Sequence, residues 1–140
     1  MKERDFQTQW HHYLEANPPK TPEVYELKLC KTNRFDFSRV KKHQIDGLLK
    51  AKTGMFYKIS DNLPVFGGNI HMRFTAKKPY DCLWIKSDAY LCVMFYIPRK
   101  RKVVVKIDIE DFIIWKDIFE KKSATFDEFV ANGYTEVIKL

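Results

Sequence analysis

EVYELKLCKTNRFDFSRVKKHQIDGLLKAKTGMFYKIS, residues 23–60, decides how this chain is read. In VYELKL, Val24, Glu26 and Lys28 alternate with Tyr25, Leu27 and Leu29, so a strand puts the two sets on opposite faces. Ser38 is placed to cap a helix that runs through Lys52, with Val40, Ile45, Leu48 and Leu49 as its apolar stripe and Gly54 as its stop. MFYKI, residues 55–59, reads as a buried strand directly after it. Strand, helix and strand with short joins predict a βαβ unit, whose two strands are parallel and right-handed.

Upstream, Phe6, Trp10, Tyr13 and Leu14 recur at helical spacing, so residues 3–15 are expected to be helical until Pro18 and Pro19 end the helix. Downstream, residues 70–74, 80–86 and 89–97 read as three strands of a meander, with Ser87 and Asp88 as the tight turn between the last two. VVVKI follows as a strand, and Asp108 caps a helix carrying Ile109, Phe112, Ile113 and Phe119. Thr125 and Glu128 form a capping box for a short helix that Gly133 ends, and TEVIKL closes as an edge strand. There is no internal repeat and no low-complexity linker, so the expectation is a single domain over residues 1–140. Its class is α/β, a mixed central sheet flanked by helices.

Apolar residues are 45% of the 140 and aromatics 15%, enough for one packed core and too many for a disordered chain. A net charge of +7 favours a polyanionic partner, nucleic acid before anionic lipid, although a merely soluble basic protein would show the same excess. No stretch approaches the roughly 20 apolar residues that cross a bilayer, and MKERDFQTQW is too polar for a signal peptide. Cys30, Cys82 and Cys92 are odd in number and lack metal-ligand spacing, so they read as buried thiols in a reducing compartment. The expected location is cytoplasmic, in a cell or in an infected host.

Glu26 and Lys28 are the residues whose chemistry stands out. A carboxylate and an ammonium two apart on a mostly apolar strand are costly to bury without a function. Phosphodiester hydrolysis uses such a pair: Glu26 would help hold a divalent cation, and Lys28 would orient or deprotonate water and steady charge on the phosphate. A simple salt bridge on an edge strand is the competing reading.

The arrangement behind that triplet resembles the PD-(D/E)xK nucleases, and among them the RecU-like Holliday junction resolvases. Glu26 and Lys28 match the ExK, FDFS the loop into the helix, and His43, Gln44 and Ile45 the HQI on that helix. MFYKI stands at the family's next strand, and KKSATFDEFVANGYTEVI is similar to its C-terminal end. The resemblance implies a restriction-endonuclease-like fold and a Mg²⁺-dependent endonuclease, with Mn²⁺ able to substitute. It also implies branched DNA as substrate, a homodimer that makes paired nicks, and a place in DNA recombination or repair.

The family's aspartate on the strand before ExK is missing, because two prolines and few residues separate the first helix from VYELK. Asp81 in KKPYDCLWI is the best substitute, which requires a permuted or migrated strand pairing beside VYELK; the alternative is an ordinary turn aspartate and a degenerate site. On the first reading Asp81 and Glu26 hold metal, with Glu3 of the first helix as a further candidate, while Lys28 and Gln44 position water. Gln44 equally suits a core-edge glutamine satisfied by backbone. His43, Lys77, Lys78 and the run Arg99, Lys100, Arg101 and Lys102 are candidates for DNA contact, with a solvated hairpin tip as the alternative for the run. Two other functions stay open: a restriction- or repair-type nuclease on the same fold, and a nuclease-like domain that binds nucleic acid without cutting it.

Overall fold

The computed structural model describes residues 1–61 and 78–140, without the side chains of residues 57–61 and 78–82. Along the chain, α1 (Glu3–Ala16) precedes β1 (Glu23–Cys30), the short β2 (Arg34–Asp36) and a 3₁₀ turn, Phe37–Arg39. Then come α2 (Lys42–Thr53), β3 (Met55–Asp61), β4 (Lys78–Ile85), β5 (Asp88–Phe95) and β6 (Val103–Asp108). Helix α3 (Ile109–Ile113) runs on as a π-helical turn, Ile114–Ile118, before β7 (Ser123–Thr125), α4 (Phe126–Ala131) and β8 (Thr135–Lys139).

The organising strand is β5. Its run Leu91–Cys92–Val93–Met94–Phe95 is buried on both faces, as a strand inside a covered sheet must be. It pairs parallel with β1, Glu23 opposite Asp88 through Cys30 opposite Phe95, and antiparallel with β6. Strand β6 pairs in turn with β8, so the sheet order is β1-β5-β6-β8, mixed in direction, with β1 and β8 at its edges. The β2–β7 and β3–β4 pairs are separate two-stranded units.

Period-2 alternation divides the core in two. On one face Leu91, Val93, Phe95, Val105 and Ile107 meet Leu48 and Ala51 of α2, Ile109 and Phe112 of α3, and Phe129 of α4. Phe37 fills the centre of this cluster, with its ring centroid 5.0 Å from that of Phe112. On the other face Leu29, Cys92, Met94, Val104 and Ile138 meet Phe6 and Trp10 of α1. The molecule is therefore an α/β protein, a mixed sheet with helices on both faces.

Most elements stand where periodicity put them, and β8 is the expected edge strand. The connections differ. The parallel partner of β1 is β5 and not MFYKI, whose strand β3 pairs antiparallel with β4. The βαβ crossover from β1 through α2 thus returns at β5, with the β3–β4 hairpin inserted before it. Strand β4 does not form the expected hairpin with β5. The Ser87 N–H donates to the carbonyl of Ala51 at 2.9 Å and the Asp88 N–H to that of Pro22 at 3.1 Å, so this link is pinned to α2 and to the start of β1. Residues 70–74, the first expected meander strand, lie outside the described residues. The migration of the Asp81 strand to the side of VYELK is overturned: among the described residues β5 is the sheet neighbour of β1. Ser38 sits in the 3₁₀ turn, and the N-cap of α2 is instead Lys41, whose N–H donates to Gln44 Oε1 at 2.9 Å. Asp108 caps α3 as expected, accepting from the Glu110 N–H at 2.8 Å, and Thr125 caps α4, accepting from the Glu128 N–H at 3.2 Å.

Cys30 and Cys92 are buried free thiols, as the cysteine spacing led one to expect. Burial pushes the Cys92 thiol well above its ordinary value of 9.0. Burial and then the Glu23 carboxylate push the Tyr25 phenol up in the same way. For both groups the folded state prefers the neutral form, so their stability contribution is whole below the unfolded-state value and is lost as pH rises past it. Thermal melts should therefore show a fall in Tm beginning near about pH 9, where the unfolded thiol starts to ionise. A Tm that stays flat to about pH 10.5 would contradict this.

Candidate functional site

On β1 the even-numbered residues face α2 and the odd-numbered ones face α1, since Val24 and Cys30 join the first core and Tyr25, Leu27 and Leu29 the second. Glu26 and Lys28 therefore lie on the α2 face, level with Leu91 and Val93 of β5. Lys28 Nζ is 3.3 Å from Glu26 Oε1, with side-chain exposures of 12% and 25%. The pair is mostly desolvated and closed on itself, an arrangement whose Coulomb gain must offset the cost of removing both charges from water. Among the described residues β1 is an edge strand, so the pair stands beside a strand edge to which no described strand pairs.

Gln44 occupies the first turn of α2, half-buried, but its Oε1 accepts the Lys41 N–H. That oxygen caps its own helix and does not reach toward β1. Glu3 begins α1 on the opposite side of the sheet, and its carboxylate is 3.6 Å from the Arg39 guanidinium, so it does not join Glu26. Asp81 stands on β4 opposite Ile59 of β3, in the inserted hairpin, and its side chain lies outside the described residues. Among the described residues no three His, Cys, Asp or Glu side chains gather where they would hold a metal ion. Mg²⁺ is commonly held by one or two carboxylates with water and substrate phosphate, and of the expected ligands the described side chains bring only Glu26 to this face, itself closed on Lys28, a set too sparse to fit the ion by itself.

The candidate DNA contacts fall into two places. His43 is exposed in the first turn of α2. Arg99, Lys100, Arg101 and Lys102 form the β5–β6 connection, turned by Arg99 at φ 67° and by the Lys100 N–H donating to the carbonyl of Ile97 at 3.1 Å. Among the described residues no carboxylate lies within 4.0 Å of these four cations. Lys78 opens β4, with its side chain outside the described residues, and Lys77 lies outside them altogether.

Two ion-pair clusters were not foreseen from the sequence. Lys106 Nζ lies 3.2 Å from Glu23 Oε2, 3.7 Å from Glu136 Oε2 and 4.2 Å from the centroid of the Tyr90 ring. Burial opposes its charge, but the hydrogen bond and charge of Glu23, with the charge of Glu136, outweigh it and hold the ammonium above its ordinary value. Lys52 of α2 similarly bridges Asp108 at 3.0 Å and Glu110 at 3.3 Å, tying α2 to the start of α3. The signal for Lys106 was available, because it is the single charge in VVVKI, the same kind of anomaly that drew notice to Lys28. Each cluster sets one ammonium against two carboxylates, so its cation is fully paired and ties neighbouring elements together. Comparison with family models, with curated proteins and with solved structures finds no match to this chain.

Proposed function

We propose that this chain acts on branched DNA as an endonuclease of the PD-(D/E)xK kind, in the manner of the RecU-like resolvases its motifs resemble. The observation that carries the reading is the pair on β1, with a carboxylate and an ammonium 3.3 Å apart on a strand whose crossover helix bears His43, Gln44 and Ile45 and whose chain returns as a parallel neighbour. In such a site Lys28 is the group that donates to a phosphate oxygen or to an attacking water, and Glu26 fixes where its ammonium points. The resemblance adds Mg²⁺, with Mn²⁺ as a substitute, and a homodimer, since paired nicks need two sites. Because the described carboxylates do not complete an ion site, no catalytic step is assigned to metal here.

One observation favours a second reading, a nuclease-like domain that binds DNA without cutting it. Lys28 and Glu26 satisfy each other, the Gln44 oxygen is spent on a helix cap, and Glu3 is held by Arg39. A restriction- or repair-type nuclease would use the same residues on other DNA.

Binding and cleavage of four-way, flap and linear DNA of equal length, at one salt concentration, separate the three. Paired nicks in the four-way junction with Mg²⁺ or Mn²⁺, absent with Ca²⁺ or excess chelator, are the expected result. Junction binding with no cutting in either metal would establish the second reading, and equal affinity for all three substrates would remove the branched-DNA assignment.

A further inference from the structure

The carboxyl ends of parallel strands are where open α/β sheets place ligands, because the connections splay there and leave a crevice. In this chain β1 and β5 end together at Cys30 and Phe95, and a pocket of about 480 Å³ lies beyond them. Its apolar floor is Phe95, Ile97, Val103 and Phe126, with the Phe126 ring edge-on to Phe95 at 5.8 Å between centroids. Its rim is polar: Thr32 and Asn33 from the loop after β1, Lys100 and Arg101 from the basic turn, and Asp127 from α4. The volume matches a small-ligand site, and an apolar floor under a few polar groups is the usual composition of one.

The chemistry of the lining selects among ligands. A simple anion has no use for the phenylalanine and isoleucine surface, and Asp127 would repel it. A purely apolar molecule would leave unused Lys100 and Arg101, two exposed cations with no carboxylate within 4.0 Å among the described residues. A nucleotide suits every part. Its base covers the apolar floor, its phosphate meets the two cations, and its base or sugar hydrogen-bond donors meet Asp127 and the Asn33 amide. The base must be unstacked to enter, which duplex DNA resists and an unpaired strand allows. Phe95 and Phe126 belong to the same core cluster as Val24, so the pocket lies on the sheet face that also carries Glu26 and Lys28.

We propose that this pocket takes one unpaired nucleotide of a DNA strand, its base against Phe126 and Ile97 and its phosphate at Lys100 and Arg101. This rests on the reading of the chain as DNA-acting but not on its cutting DNA. The test is fluorescence anisotropy with a labelled oligo-dT ten-mer and with a linear duplex of the same length, at fixed salt and without divalent metal. The proteins are the full chain, Ile97→Ser, Phe126→Leu and the Lys100→Ala/Arg101→Ala double variant. Ile97 is exposed, so its replacement leaves the fold intact, and Phe126→Leu keeps the floor apolar while removing the ring. Phe126→Leu should weaken oligo-dT binding by roughly tenfold, the share of one stacked base, Ile97→Ser should weaken it by roughly threefold through lost apolar contact, and both should change duplex binding less than about twofold. The double variant should weaken both probes. No measurable oligo-dT binding by the full chain, or equal losses on both probes with Ile97→Ser and Phe126→Leu, would overturn the assignment. Failure of cleavage would leave it standing.

Discussion

Lys28→Ala is expected to slow DNA cleavage by at least about 10²-fold while leaving junction affinity within about threefold. The Lys28 side chain is 12% exposed and its ammonium is already held by Glu26, so the ground-state complex gains little from it. On the proposed reading its worth appears when charge builds on the phosphate, and removing one such preorganised donor costs about 10²–10³ in rate. The substitution also leaves the Glu26 carboxylate half-buried without its partner, and breaking a pair in that way destabilises the fold. A thermal melt of the variant must therefore accompany the rate, and Lys28→Met, which keeps the stem, controls for packing. Cleavage at the wild-type rate by a folded variant would show that Lys28 does no chemistry. A loss of binding in step with the loss of rate would move it to the contact surface.

Local structure was readable where one face of an element is buried, and the tertiary pairing was not. VYELKL announced β1, and the Asp108 and Thr125 caps were legible because short polar side chains at those positions have one local use. What the sequence hid was the partner of each strand. MFYKI follows α2 directly, so it looked like the return strand, yet DAYLCVMF is the more continuously apolar run and takes the central place. Two strands compete for one slot, and the deciding energy is burial on both faces, which the unbroken run LCVMF signals and which its distance from α2 along the chain obscured. The same ambiguity misplaced Asp81: its strand was expected beside β1 because the chemistry needs it there, whereas pairing follows the hairpin with β3. Gln44 shows the limit for single side chains. Its position on α2 was foreseen, but a helix start that lacks a capping serine draws on the glutamine oxygen instead.

Replacing Arg99, Lys100, Arg101 and Lys102 together by alanine is expected to weaken junction binding on the order of 10²-fold at moderate salt. It should also flatten the dependence of log K on log salt by up to about 3.6, at about 0.9 for each phosphate that the turn no longer neutralises. The four residues form the exposed turn between β5 and β6, with Lys102 half-buried at its base, where the backbone carbonyl accepts the Leu140 N–H at 3.1 Å. Their charges have no carboxylate partners among the described residues, so no internal ion pair must break before they meet phosphate. Counterion release is indifferent to base sequence, which means four-way, flap and linear substrates should lose affinity in similar proportion. On the proposed reading, junction preference would come from how two subunits sit on two-fold-related arms and not from this turn, so it should survive the change. Cleavage at saturating protein should fall far less than binding, the inverse of the Lys28→Ala outcome. Titrations of the quadruple variant across a salt series, scored against the unsubstituted chain on all three substrates, decide the matter. An unchanged salt slope would place the phosphate-binding face elsewhere on the molecule.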